Sequence, residues 1–493
     1  MSQSFSCEKI KQAIGKNTKA IVCTHASNVT GDGNDIAQIG TLCEKYNLYF
    51  ILDASQTAGT IEIDMEQNHI SAICFTGHKG LFGPQGTGGI ALADGVCVKP
   101  LLSGGSGVHS FERKHPMELP AALEAGTLNG HGIAGLHAAL DWIKKTGIAA
   151  IHEKEMALAE QFQRGIETIP GIHIYGGEKR VAAIVSCNLA DLDSAYVSDC
   201  LAENYGIATR AGAHCAPQIH THFGTEKQGM VRFSFSCFNT TEEVEKAVRA
   251  MQDIAAENRG KVTAYVGAGG KTSSIRKRAE TLRAEGKRVL ILTTTKMMVP
   301  QEQEIFTAYE QTGQESVISA TASVWQERRA AEKQLKERVQ SVLDTYGCCV
   351  AGSLIPGAEK FGMLPEKLME DLLYLADEIL IEADGSAHMP VKAPAEHEPV
   401  LFPYMDEVVI VMGAHAIGKP LREVCHRVDY AKELLKCDAD KIVTAADLET
   451  LAEQGYAIPI QKQYPWMKIS KVTGKDIKLC LTAEKKDKER DKQ

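Results

Sequence analysis

Apolar residues in the opening part of the chain fall in short runs separated by polar or glycine-containing stretches. Lys19 to Cys23, Leu48 to Leu52, Ala72 to Phe75 and Gly89 to Leu92 read as short buried strands. Between and after them, Asp35 to Tyr46 and Ile133 to Lys145 place apolar residues at helical spacing. Such alternation predicts an α/β domain with a mostly parallel sheet. A longer helix, about Ile151 to Thr168, then leads to strands at Val181 to Cys187 and Met230 to Phe235. The segment Asn239-Thr240-Thr241-Glu242-Glu243 announces one more helix, with Thr or Asn as its N-cap and acids in its first turn. This smaller α+β part ends near Ala256.

The pattern restarts after the polar junction Glu257-Asn258-Arg259-Gly260. Lys261 to Val266 reads as a strand running into a glycine-rich turn and a helix. Val289 to Leu292, Cys348 to Ala351, Glu378 to Ile381, Val408 to Val411 and Lys441 to Thr444 continue the series. The predicted organisation is residues 1–146, 147–256 and 261–483, followed by a charged, disordered tail at 484–493. No internal repeat joins the halves, which read as two different α/β folds.

Composition narrows the function classes. A net charge of −9 over 493 residues, spread thinly, argues against a nucleic-acid binder held by a basic face. No apolar stretch approaches the roughly 20 residues that span a bilayer, and the first residues lack signal-peptide character. The 14 cysteines are scattered, with no C-x-x-C pair, which argues against zinc ribbons and for a reducing, cytoplasmic setting.

Candidate chemistry in the first half gathers at strand ends. Lys79 follows the run ending at Phe75, and Asp53 follows Tyr49 to Leu52, so both side chains emerge where α/β sheets place ligands. A lysine amine to anchor pyridoxal 5′-phosphate (PLP) and a carboxylate to keep its pyridine nitrogen protonated are what that cofactor needs from a protein. Gln56 can bond the ring hydroxyl, and Thr76 and His78 offer donors to the phosphate. Asn28, after another strand, is a candidate for the cofactor or the substrate carboxylate. Arg232 interrupts an apolar strand and requires an anionic partner, either a structural acid or an amino-acid carboxylate.

The segment Thr209-Arg210-Ala211-Gly212-Ala213-His214-Cys215 makes the pattern specific. Together with Thr24-His25-x-Ser27-Asn28-Val29-x-Gly31, Asp53-x-x-Gln56, Thr76-Gly77-His78-Lys79 and Glu124-x-Gly126-Thr127-x-Asn129, it resembles the class V aminotransferase-fold cysteine desulfurases and selenocysteine lyases of the group II branch. The likeness runs from about Glu8 to Ala255. It implies PLP-dependent transferase fold type I, with a partial large domain and a small domain, acting on L-cysteine or L-selenocysteine. It also implies that Cys215 is the persulfide carrier, that Arg210 and Arg232 meet the substrate, and that Thr127 binds the cofactor phosphate across a homodimer interface. His214 and Arg210 beside Cys215 are expected to lower its thiol pKa. Members of that group carry further chain ahead of this point, with a histidine stacked on the cofactor and a Gly/Thr phosphate loop, so the resemblance implies a truncated large domain.

In the second half, Gly267-Ala268-Gly269-Gly270-Lys271-Thr272 between strand and helix predicts a phosphate-binding loop. Tyr265 stands where the full motif has its first glycine. Glu382 and Asp384, at a later strand end, are candidates for the nucleotide site, with Thr272 and Asp384 holding Mg²⁺. Lys392, His397 and Glu398 and the stretch from Gly413 to Pro420 read as a dense polar surface. The ordered motifs Gly-Ala-Gly-Gly-Lys-Thr, Thr293-Thr-Thr-Lys296, Glu382-Ala-Asp-Gly-Ser386, Lys392-Ala-Pro and His426-Arg427 resemble the YqeC family, over about Val262 to Ala446. That likeness implies a role in maturing selenium-dependent molybdenum hydroxylases; the glycine loop adds ATP or GTP with Mg²⁺ as the expected ligand, and the fusion an acceptor such as the molybdenum cofactor or the hydroxylase. Two other readings stand beside it: a general sulfur donor, for instance to iron–sulfur assembly, and a non-catalytic PLP-fold scaffold beside a nucleotide-binding domain.

Overall fold

The structure, a computed structural model, describes residues 7–105, 107, 111–309 and 322–473. Its contacts divide the chain into two compact units, Met1–Ile254 and Ala255–Gln493. The predicted end at 483 and the charged tail lie outside the described residues.

The first unit opens with helix α1 (Cys7–Ala13) and a four-stranded sheet, β1 (Ala20–Thr24), β2 (Tyr49–Asp53), β3 (Ala72–Thr76) and β4 (Gly88–Leu92), in that spatial order. The first three strands are parallel and β4 is antiparallel to β3. Helix α2 (Ile36–Tyr46) starts where the Asp35 carboxylate accepts the Gln38 N–H at 3.0 Å. Its Ile39 and Cys43 pack on Phe50, Leu52 and Ile70. Full burial of the strands does not hold, because residues alternate across the pleat. Val22 on edge strand β1 is 68% exposed, and Tyr49 and Ile90 are also exposed.

Helices α3 (Gly130–Thr146) and α4 (Ile148–Ile166) follow, and then an antiparallel sheet of β5 (Ile172–Tyr175), β6 (Ile184–Leu189) and β7 (Val231–Ser234). The strand expected from Val181 begins only at Ile184. The N–H groups of Val181 and Ala182 are spent on the Gly31 carbonyl, at 2.8 and 3.1 Å, tying this segment to the loop after β1. Helices α5 (Ser194–Tyr205) and α6 (Pro217–Phe223) flank the loop that carries Cys215. Helix α7 (Thr241–Asn258) is opened by a reciprocal cap: Thr240 Oγ1 accepts the Glu243 N–H, and Glu243 accepts that of Thr240.

The second unit is a mixed sheet whose centre is parallel. Its strands are β8 (Lys261–Gly267), β9 (Val289–Thr293), β10 (Lys296–Met298), β11 (Phe306–Tyr309), β12 (Cys348–Leu354), β13 (Lys360–Gly362), β14 (Glu378–Glu382), β16 (Glu407–Met412) and β18 (Lys468–Thr473). A two-stranded pair, β15 (Val391–Lys392) with β17 (Cys425–His426), sits apart. Spatial order is β10-β13-β12-β9-β14-β8-β16-β18, with β11 beside β12. Helices α8 (Lys271–Ala284), α9 (Ala322–Tyr346) and α10 (Glu366–Leu372) fall between strands. From β8 the chain crosses to β9 on one side, and from β14 it crosses to β16 on the other. Ligands of doubly wound sheets bind outside the carboxyl ends where the winding reverses.

Lys441 to Thr444 is not a strand. Ile442 forms a lone bridge with Pro420, and Thr444 caps the helix that follows. The place beside β16 belongs to β18, whose alternating Lys, Ile and Ser residues hid it from an apolar-run reading.

Candidate active site

In the first unit, the loop after β1 and the ends of β2 and β3 open onto a cavity of about 620 Å³. Asn28, Asp53, Gln56 and Lys79 line it, together with Gln218 and His222 from α6. Asp53 is the last residue of β2, and its carboxylate accepts the Ser55 N–H at 2.9 Å. Lys79 sits three residues past β3 in a turn closed by the Phe82 N–H on its carbonyl and by the Gly83 N–H on that of Gly77. Burial pulls the Lys79 ammonium below the ordinary lysine pKa; Asp53 opposes this, and Arg232 and Arg210 add to it. Thr76 Oγ1 lies 2.8 Å from His78 Nδ1. His25, buried and bonded to Thr57 at 2.9 Å, supports the same strand ends.

The Arg210–Cys215 loop runs beside β7: Arg210 and Arg232 exchange backbone hydrogen bonds of 3.2 and 2.8 Å. Arg232 donates to the Asn28 carbonyl at 3.0 Å, while its Nε is buried with no partner. Asn28 donates its side-chain amide to the His214 carbonyl at 2.7 Å, so it fastens this loop as well as lining the cavity. His214 and Cys215 both take left-handed backbone angles, φ 52° and 59°. Cys215 is exposed, with Arg210 Nη2 3.8 Å from its sulfur.

The expectation that His214 helps charge the thiol is overturned. The ring is 2% exposed and bonded through Nε2 to the Met230 carbonyl. Burial, followed by neighbouring cations, pushes its pKa down to about 4 even though the Met230 bond favours the charged form. The imidazole is therefore neutral near pH 7, and Arg210 is the cation at the sulfur. Thr127 lies in an exposed segment before α3 and does not line the cavity.

In the second unit, β8 continues through Tyr265 to Gly267, leaving only Ala268 to Gly270 before α8. Gly267 has φ +87°, and a Cβ there would lie 2.2 Å from the Val411 carbonyl. At Gly269 it would lie 2.3 Å from that of Pro390, so close backbone packing demands this glycine. Lys271, 4% exposed, donates to the Gly267 carbonyl at 2.7 Å and to Ser386 at 3.4 Å. Burial lowers its pKa, and Glu382 and Asp384 pull it back.

Thr272 Oγ1 donates to Glu382 Oε2 at 2.8 Å. Burial raises the Glu382 pKa against the pull of Lys271. The Asp384 oxygens are taken by Lys392, by the Tyr456 hydroxyl at 2.7 Å and by the Gly267 N–H at 3.2 Å. Among the described residues no group of three or more His, Cys, Asp or Glu is placed to hold a metal. Lys392 is not a surface residue, being 0% exposed, and it also pairs with Glu398 at 2.7 Å; Glu398 in turn takes Arg427 at 2.9 Å. Tyr456, Gln218 and His222 carried no sequence signal, since only the fold brings them to these sites.

A strand-end lysine and carboxylate thus share one cavity, and a thiol lies near a guanidinium on the adjoining loop. Residues 1–247 match the aminotransferase class-V model, and the chain belongs to that family. Residues 263–429 match the YqeC protein model, so the chain carries a YqeC domain as well. A probable cysteine desulfurase of Methanothermobacter thermautotrophicus is 33% identical over 252 residues, 50% of this chain and 63% of that protein. A cysteine desulfurase of Shigella flexneri is 31% identical over 256 residues, 51% of this chain and 62% of that protein. The chain thus spans less than two thirds of the length of these curated relatives. Among solved structures, apo cysteine desulfurase from Thermococcus onnurineus aligns with TM-score 0.45 and 30% identity, covering 48% of this chain and 60% of that one. Cysteine desulfurase CsdA from Escherichia coli gives TM-score 0.47 and 29% identity, covering 51% and 62%. No helix among the described residues is long and apolar enough to cross a membrane.

Proposed function

We propose that the first unit is a PLP-dependent desulfurase-type module that moves sulfur or selenium from L-cysteine or L-selenocysteine onto Cys215. The observation that carries this is the shared cavity of Asp53 and Lys79, with Arg210, Arg232 and Cys215 close enough to act on the Lys79 charge. The residues suit the cofactor: a carboxylate for the ring nitrogen, Gln56 for the ring hydroxyl, Thr76 and His78 for the phosphate. The unpartnered Nε of Arg232 suits an amino-acid carboxylate. When bound there, PLP supplies an electron sink for charge at the amino acid's α carbon. Lys79 anchors the cofactor and moves the α proton, Arg232 holds the carboxylate, and Arg210 stands 3.8 Å from the Cys215 sulfur, where its charge faces the attacking group. The thiolate sulfur bonds to the substrate sulfur as the carbon–sulfur bond breaks. Cys215 is left as a persulfide, and the carbon fragment takes up a proton and leaves as alanine.

For the YqeC domain the reading is phosphate binding, as ATP or GTP with Mg²⁺, at the loop 267–272. The pairing of Thr272 with Glu382 supports Glu382, rather than Asp384, as the acid facing a metal-bound water. Joined in one chain, the two parts suit a factor that passes sulfur or selenium to a molybdenum hydroxylase or its cofactor. Visible absorbance of the purified chain with added PLP, lost in Lys79→Ala, tests the first part. Alanine release abolished by Cys215→Ser, and faster from selenocysteine than from cysteine, tests the chemistry. Absence of PLP uptake by the unaltered chain would sink the enzymatic reading and leave the scaffold.

A further inference from the structure

Asp384, Lys392 eight residues later and Tyr456 far along the chain converge on the residue where β8 turns into the glycine loop. Asp384, two residues past β14, is 0% exposed and accepts the Gly267 N–H. Lys392 arrives from β15, ion-pairs with the same carboxylate and donates to the Gly385 carbonyl at 2.5 Å. Tyr456 arrives from a π-helical turn, Leu451–Ala457, and donates to the oxygen that also accepts the Gly267 N–H. Wide π turns are unfavourable and recur at functional sites. This one places a phenol with no solvent exposure against a carboxylate with none.

Stability alone does not account for such a group. A buried ion pair is often matched or bettered by apolar residues of similar volume, and the surrounding core is largely apolar. What the arrangement does specify is the direction of one carboxylate. Its two oxygens are shared among an ammonium, a phenol and the first N–H of the loop, so it cannot rotate without breaking several bonds. Gly267 is in turn pinned from its other side, where the Val411 carbonyl leaves no room for a side chain. The ladder continues from Lys392 through Glu398 to Arg427, which stands at φ 67° on the N-terminal side of the helix Val428–Leu435.

We propose that Tyr456 and Lys392 are positioning residues: through Asp384 they fix the start of the loop 267–272 in the geometry that takes the phosphates of a nucleoside triphosphate. This rests on the phosphate-binding reading of the YqeC domain and goes beyond it by assigning two residues remote from the loop.

The test is titration of the full chain with ATP and Mg²⁺ by calorimetry, with Lys271→Ala, Tyr456→Phe and Ser470→Ala compared with the unaltered protein. Ser470 donates to Glu407 at 2.7 Å, at the opposite end of the same sheet. Losing that bond costs stability of the same order as losing the Tyr456 hydroxyl, without touching the loop. The expected result is ATP binding that weakens about tenfold in Tyr456→Phe and is unchanged in Ser470→Ala, with similar falls in melting temperature. Tripolyphosphate should lose affinity by the same factor as ATP, because the defect lies in the phosphate subsite. Lys392→Arg, which keeps the charge but not the shape of the ammonium, should also weaken ATP with little loss of fold. Unchanged ATP affinity in Tyr456→Phe, when Lys271→Ala has lost binding, overturns the positioning role alone. Failure of the unaltered chain to bind ATP, GTP or tripolyphosphate overturns the phosphate-binding reading and this inference with it.

Discussion

Two buried titratable groups in the first unit should pull its stability in opposite directions as pH changes. Glu155 on α4 is 7% exposed and accepts the Cys237 N–H at 3.1 Å; burial pushes its pKa up to about 7 from an ordinary 4.5. An acid whose folded pKa is raised binds more protons folded than unfolded. Its contribution is therefore fully present below pH 4.5 and is lost as pH rises through 7. His214 works the other way. Its folded pKa of about 4 lies below the ordinary 6.5, so its contribution is present above 6.5 and lost as pH falls toward 4.

Between about pH 7.5 and about pH 5, acidification recovers about 2 kcal/mol at Glu155 and forfeits about 2 kcal/mol at His214. The two nearly cancel in the unaltered protein. Glu155→Gln keeps an acceptor for Cys237 and removes the titration. Relative to the unaltered chain, it should be more stable at pH 7.5 by about 3 kcal/mol and retain only about 1 kcal/mol of that at pH 5. His214→Gln should show the opposite trend, faring better relative to the unaltered chain at pH 5 than at pH 7.5. Urea-dependent hydrogen exchange of the peptide covering β6 reads the first unit separately from the second. A difference between Glu155→Gln and the unaltered protein that is the same at both pH values would refute the reasoning. Other titrating groups drop out of that comparison.

Arg210→Met should slow alkylation of Cys215 by iodoacetamide severalfold at neutral pH, because it removes the guanidinium 3.8 Å from the sulfur, whereas His214→Gln should leave the rate nearly unchanged. Equal rates in all three proteins, read by mass spectrometry of the Cys215 peptide, would contradict the assignment of Arg210. Lys392→Met should destabilise the second unit by about 3–5 kcal/mol, because it strands the buried Asp384 carboxylate without its ammonium, while Glu398 keeps Arg427. A fall below about 1 kcal/mol in urea unfolding would contradict that ion pair's role.

Much of this architecture was legible because it obeys local rules. Helix starts at Asp35 and Thr240 follow from capping chemistry, and the central strands of the second unit are continuous apolar runs, as buried parallel strands are. Lys79 and Asp53 could be placed on one cavity because strand ends in a parallel sheet share an edge. The failures share a different cause. Strand β18 alternates between sheet and solvent faces, so its lysines read as surface. Lys392 looked exposed for want of any sign in the sequence that Asp384 and Glu398 would close around it.

His214 is the clearest case of adjacency misleading. Neighbouring positions in a chain carry their side chains in different directions, and here the left-handed angles at His214 and Cys215 separate them further. One ring turns inward to the Met230 carbonyl while the next thiol faces out beside Arg210. Had the imidazole been solvated, its proton would be available to the sulfur near pH 6.5. Burial holds the imidazole neutral at and above pH 6.5, so the cation facing the thiol there is the Arg210 guanidinium.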